Sequence, residues 1–348
     1  MASNVKIKEL PSGNFNALVY DYTDANKKRH YKSITAPSKR EVKKLIAEFL
    51  ASREEAQLTA EDITVREAIS KYIDSRINVL SPSTIRGYKL ILKNNIQDIM
   101  PVKTRHLTSR DIQNAINKEA LTHSPKTVRN IHGLLVAALK ESAPDLRINT
   151  TLPQKIKPDI SIPTEEEMKK IFIYVKDTNM ELPIYLAGLC GMRRSEIAAL
   201  KWKDVNIYNK TISINSALVR DENDKLVEKG TKSVASKRVI RILDPVMEVL
   251  KSTPRVTENV TVLNPHTITM SFSKILKKLD LPHYRFHDLR HYAVSVMLSL
   301  NIPKNYIADY VGHETENMID QVYGHIMQSA KTSFEDVLNQ YYTSLLKK

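Results

Sequence analysis

Four short motifs in the C-terminal half of the chain collect side chains able to do chemistry. They are Gly191-Met192-Arg193-Arg194-Ser195-Glu196, then Lys232 in Thr-Lys-Ser-Val-Ala-Ser-Lys-Arg, then His287-Asp288-Leu289-Arg290, and finally Gly312-His313 with Tyr323 ten residues later. Two arginines, a lysine and a tyrosine can together perform phosphoryl transfer through a protein-bound intermediate. A nucleophile that stays attached keeps the energy of the phosphodiester it breaks, so a later hydroxyl can reverse the step. Tyr323 suits that task because its phenolate is also a good leaving group. The transition state gathers negative charge on nonbridging oxygens, and the planar, permanently charged guanidiniums of Arg193 and Arg290 complement it. The departing oxygen needs a proton, which Lys232 can supply from its ammonium form on a hairpin.

Plainer readings stand beside these. Arg194 reads as a solvated residue or a carboxylate partner, and Glu196 as a structural acceptor for nearby backbone or a basic side chain. Lys229 and Lys237 flank Lys232 and share its composition. His287 and His291 have the i, i+4 spacing of a zinc helix, but Asp288 stands where a zinc protease carries its glutamate, so no metal site is assigned. His291 reads as a packed or surface residue. Tyr306, Tyr310, Tyr341 and Tyr342 read as core or rim, since only Tyr323 sits between two Gly-His pairs.

Three elements must position this set. Residues 5–10, 15–22 and 30–35 read as strands broken by Pro-Ser-Gly-Asn and Asp-Ala-Asn, followed by a helix capped by Ser38 and Glu41, which predicts a β-β-β-α unit. From Thr64 with Glu67 to about residue 141 the pattern is helical. Within it Ser81-Pro82-Ser83-Thr84-Ile85-Arg86 recurs in form as Ser124-Pro125-Lys126-Thr127-Val128-Arg129, with serine at N-cap and proline at N1. Helix N-termini attract phosphate, which makes Arg86, Lys126 and Arg129 candidates for contacts to a nucleic-acid backbone, against a capping habit repeated by chance. Residues 143–163 hold four prolines and read as an extended linker. Beyond it, Thr164 with Glu167 caps a helix, an apolar helix runs from Leu182, residues 211–214 and 225–242 suggest one small sheet, and helices follow.

In this order the four motifs resemble the catalytic box of the tyrosine recombinases, in particular the phage and conjugative-element integrases. The β-β-β-α unit is similar to their arm-type DNA-binding domain and the helical unit to their core-binding domain, so the resemblance spans the chain. It implies a multidomain fold, mainly α with small β-sheets: an arm-binding unit at 1–60, an all-α core-binding domain with linker at 61–155, and an α+β catalytic domain with a C-terminal helix at 156–348. It implies roles for His287 and His313 in accepting the phenol proton or donating to the phosphate. It further implies a 3′-phosphotyrosyl intermediate, double-stranded attachment sites, a homotetramer on DNA, an excisionase or DNA-bending partner, and no cofactor or metal. The chain departs from the family at Met318-Ile319, where many members carry Thr-Thr, and at Val311, where leucine is usual.

Composition agrees with that class. The 348 residues carry a formal charge of +14, spread as +4, +6 and +4 over residues 1–60, 61–155 and 156–348, which suits a protein lying along an extended polyanion. The longest apolar run, residues 182–192, contains a proline and two glycines and is too short to cross a bilayer. The first residues lack the apolar stretch of a secretory signal, and Cys190 is the only cysteine, so no intramolecular disulfide or Cys-rich zinc site can form and a cytoplasmic location is expected. Three rivals remain: a type IB topoisomerase that reseals the same strand, an inactive DNA-binding regulator, and a metal-dependent nuclease. The N-terminal unit argues against the first, the complete residue set against the second, and the lack of a tight Asp/Glu/His cluster against the third.

Overall fold

The computed structural model describes residues 5–23, 29–59, 62–156, 161–230, 237–313 and 319. They form two compact units, residues 1–157 and 158–348.

The first unit holds two separate cores. Strands β1 (Ile7–Glu9), β2 (Phe15–Thr23) and β3 (Arg29–Ala36) form an antiparallel sheet in the order β1-β2-β3. Strand alternation turns Ala17, Val19, Ile34 and Ala36 inward, where they meet Val42 and Ile46 of α1 (Lys39–Thr59). The expected β-β-β-α unit is thus present within a residue or two of its predicted bounds. The second core belongs to α2 (Val65–Asp74), α3 (Pro82–Asn94), α4 (Ser109–Ala120) and α5 (Pro125–Ser142), and includes Ile69, Ile73, Ile112, Ile131 and Leu135. Thr64 and Glu67 form the full reciprocal capping box, and the two Ser-Pro starts behave alike, with Ser81 accepting from the Thr84 amide and Ser124 from that of Thr127.

The stretch read as a linker differs in its first part. Leu146, Ile148 and Leu152 pack on the helical core, the backbone is held by Ser109 to Asn149, Gln113 to Thr151 and Arg129 to Pro153, and His132 bonds the Thr150 hydroxyl. Prolines and low periodicity mark absent regular structure, and the apolar residues among them make it a strap rather than a free tether. Residues 157–160 lie outside the described residues.

The second unit begins with α6 (Glu165–Val175), capped by the expected Thr164–Glu167 box, then α7 (Glu181–Gly188) and α8 (Arg194–Ala199). The strands that follow are β4 (Val205–Asn206), β5 (Thr211–Ile214), β6 (Ser216–Arg220), β7 (Leu226–Gly230) and β8 (Arg238–Arg241). They make two sheets where one was expected: β4-β5-β8, and a separate antiparallel hairpin of β6 and β7. The hairpin closes through Asp224 at φ +63°, with the Asp221 carboxylate accepting from the Asn223 and Lys225 amides. Helices α9 (Asp244–Ser252), α10 (Pro265–Lys278), α11 (Asp288–Ser299) and α12 (Lys304–Val311) complete the described part. Helix α7 is buried nearly all round and sits in the main core with Ile197, Ile212, Ile240, Phe272 and Leu289. A second cluster joins Val294 and Leu298 to Ile307, Val311 and Ile319, so the departure at position 319 supplies an apolar side chain to a dry contact. Among the described residues no helix is long and apolar enough to cross a membrane.

Candidate active site

The site is built on two glycines in left-handed conformation. Gly191, at φ +62°, ends the loop from α7, and a Cβ there would lie 2.8 Å from Val311 Cγ1. Gly312, at φ +72°, closes α12. Both positions need backbone angles that side chains resist, and the first also needs the space. Their close approach aligns three carbonyls. Arg290, 2 % exposed, donates from Nη1 to the Gly191 carbonyl at 2.5 Å and the Val311 carbonyl at 2.6 Å. Arg193, at the start of α8, donates from Nη2 to the Gly312 carbonyl at 2.5 Å. Two guanidiniums from motifs about a hundred residues apart are thereby fixed to one strip of backbone.

Glu196 completes the frame. Only 3 % exposed, it accepts from the Arg193 amide at 2.9 Å and Arg193 Nη1 at 2.7 Å, and on its other side from Arg238. Burial alone would raise its carboxyl, but the hydrogen bonds and charge of Arg238, with the charge of Arg193, outweigh that and hold it below the usual range. Glu196 therefore has the structural part expected of it. Two guanidiniums share the Glu196 carboxylate and a third, Arg290, bonds backbone carbonyls, so this group keeps an excess of positive charge and favours an anion. Asp288, also buried, is occupied by the Arg285 amide and guanidinium.

His287 precedes the first residue of α11 and packs edge-on against His291, with ring centroids 4.9 Å apart. His313 follows Gly312, and among the described residues its buried Nδ1 has no hydrogen-bond partner. Although part of His287 reaches solvent, desolvation by the surrounding protein, then His291 and the two arginines, push its pKa down to about 4. Desolvation, Arg290 and Arg193 push His313 down to about 3. Both rings are neutral at pH 7, so each keeps one ring nitrogen as a hydrogen-bond acceptor and the other as a donor. Because the folded chain refuses protons that an unfolded histidine binds near pH 6.5, stability is full above that pH and is lost as pH falls toward 4. The melting temperature should fall between pH 7 and 4.5, and His313→Gln should flatten the fall. A slope unchanged by that substitution would remove His313 from the account.

Arg193, Arg290, His287 and His313 are thus brought together. Lys232, Tyr323 and the helix expected at residues 332–346 lie outside the described residues. In the first unit Lys126 is exposed on the first turn of α5 and Arg86 is half-buried on α3. Arg129 instead grips the Pro153 carbonyl through Nε and Nη2 at 3.1 and 2.7 Å, which gives it a structural partner. Among the described residues no group of three His, Cys, Asp or Glu side chains is placed to hold a metal. Sequence reasoning passed over Arg238. Its signal was strand alternation: two positions before the buried Ile240, an arginine faces inward and requires a partner.

Comparison with known proteins finds relatives in both sequence and fold. Residues 163–329 match the phage integrase family. The chain is 28 % identical over 300 residues to the integrase of Staphylococcus phage L54a, covering 72 % of this chain and 84 % of that one. The fold is shared with the Tn1549 transposon integrase in complex with transposon right end DNA, at TM-score 0.68 and 16 % identity over 79 % of this chain and 100 % of that one. It is shared also with the lambda integrase tetramer bound to a Holliday junction, at TM-score 0.55 and 14 % identity over 92 % and 95 %.

Proposed function

We propose that the chain, whose residues 163–329 match the phage integrase family, is a tyrosine recombinase, a site-specific enzyme that cleaves and rejoins DNA to integrate and excise a mobile element, and that its residues divide the work as follows. Arg193 and Arg290 hold the nonbridging oxygens of the scissile phosphate. Tyr323 attacks the phosphorus, forming the 3′-phosphotyrosyl bond as the bond to the 5′-oxygen breaks. Lys232 gives that oxygen its proton. His287 and His313, neutral at pH 7, take the phenol proton or donate to the phosphate. A 5′-hydroxyl from the partner strand then attacks the phosphotyrosyl bond and restores the tyrosine. The observation that carries this reading is the convergence of Arg193 and Arg290 on the Gly191 and Val311–Gly312 carbonyls beside both histidines.

Residues 61–155 and 156–348 serve the core site, with Arg86 and Lys126 as backbone contacts, and residues 1–60 bind outlying sites. Four copies act on DNA, as lambda integrase does on a Holliday junction, with an excisionase or DNA-bending protein setting direction. The reaction takes place in the cytoplasm.

The test is covalent trapping on a nicked core site. With sulfur at the bridging 5′ position, a far better leaving group, Lys232→Ala should recover cleavage and Arg193→Ala should not. Equal recovery of both would reject the assignment of the proton donor. Adducts should persist in excess chelator. On the same substrate the chain lacking residues 1–60 should still cleave, and a folded but inactive truncation would reject the division of labour.

A further inference from the structure

Arg238 opens β8, and its side chain is 6 % exposed. Every nitrogen of its guanidinium is engaged. Nη1 donates to Glu196 Oε1 at 3.2 Å, Nη2 to Glu196 Oε2 at 3.0 Å, and Nε to the Tyr310 carbonyl at 2.9 Å. Neither acceptor is incidental. Glu196 holds the amide and Nη1 of Arg193, and Tyr310 lies two residues before Gly312, whose carbonyl holds Nη2 of Arg193. Arg238 therefore grips Glu196, one support of Arg193, and the backbone two residues before the other, from a strand whose Ile240 lies in the main core.

Charge gives the arrangement a second consequence. A buried carboxylate with a single guanidinium forms a closed pair whose field nearly cancels, and its arginine offers little to a phosphate. Here Glu196 is shared between Arg193 and Arg238, so the group of three stays cationic as a whole. We propose that Arg238 is a positioning residue for strand cleavage: by holding Glu196 and the Tyr310 carbonyl it aims Arg193 at the scissile phosphate and prevents Glu196 from neutralising it. The proposal rests on the assignment of Arg193 to that phosphate.

The test compares adduct formation in a single turnover on a nicked core site bearing either an ordinary phosphate or a methylphosphonate at the scissile position. The methyl group removes one nonbridging charge, and with it most of what Arg193 stabilises. On phosphate, Arg238→Ala and Arg238→Lys should each lose on the order of 10²-fold, since lysine keeps the charge but presents one nitrogen to three acceptors. On methylphosphonate the deficits of Arg193→Ala and Arg238→Ala should shrink together to a few-fold, and the double variant should be no slower than Arg193→Ala. A loss of equal size on both substrates, or one that multiplies with that of Arg193→Ala, would mean that Arg238 only supports the fold. Failure of both Arg238 variants to fold would place it in the scaffold and overturn the proposal equally. If the wild type forms no adduct, or Arg193→Ala cleaves phosphate at full rate, the assignment of Arg193 fails and takes this proposal with it.

Discussion

Tyr323→Phe is expected to abolish the covalent protein–DNA adduct while leaving affinity for the core site within about twofold, because it removes one oxygen and almost no volume or charge. The other tyrosines of the catalytic unit are poorly suited to the task. The Tyr310 hydroxyl donates to the Arg241 carbonyl at 3.3 Å, and burial pushes its pKa far upward, so its phenolate is inaccessible. The Tyr284 hydroxyl donates to Glu167 at 2.9 Å, and burial raises it as well. Desolvation raises Tyr185 and Tyr292. Tyr306 is 65 % exposed on α12, a few residues before His313 in sequence, and is the first alternative to test. Denaturing gels of the trapped complex read the outcome directly. An adduct that survives Tyr323→Phe would move the nucleophile to another tyrosine, and Tyr306→Phe would then be the variant that removes it.

Arg290→Ala should be the most damaging substitution among the described residues, on two counts that separate experimentally. Its Nη1 donates to both the Gly191 and Val311 carbonyls, and each buried carbonyl left without a donor costs about 1–3 kcal/mol, before the cavity is counted. The melting temperature should fall by several degrees. Cleavage should fall by about 10³-fold or more, since a charge-stabilising donor to the transition state is lost along with the alignment of the backbone that holds Arg193. Arg290→Lys divides the effects. It restores a cation, but an ammonium on a flexible stem lacks the planar fork that holds the carbonyls with one nitrogen and offers others to a phosphate, so stability should return in part and cleavage should not. Cleavage by Arg290→Lys within tenfold of wild type would show that charge suffices and that the fork geometry is dispensable.

The same frame explains why Gly191 and Val311 belong together. Val311 lends its carbonyl to Arg290 and its side chain to the space over Gly191, where a Cβ would collide. The departure from the usual leucine thus falls at a residue whose backbone serves the site and whose side chain seals it.

Much of the molecule was legible from sequence because the responsible interactions are local. The Thr64–Glu67 and Thr164–Glu167 boxes and the Ser81 and Ser124 caps act over three residues, so residue type and spacing determined where those helices start. The inward alternation of β2 and β3 determined the first unit in the same way, and the chemistry of arginine, lysine, histidine and tyrosine determined the class of reaction. The tertiary structure decided what depends on partners far along the chain. The bond from Glu196 to Arg238 spans 42 residues, that from Arg193 to Gly312 spans 119, and that from Arg290 to Gly191 spans 99. Spacing in sequence carries no record of which carbonyl a guanidinium will reach. The separation of β6 and β7 from the sheet of β5 and β8, and the strap over α4 and α5, were decided in the same manner, by which apolar face each segment could bury. Residue types determined the reagents of this site, and close packing of two glycine turns against one another decided their aim.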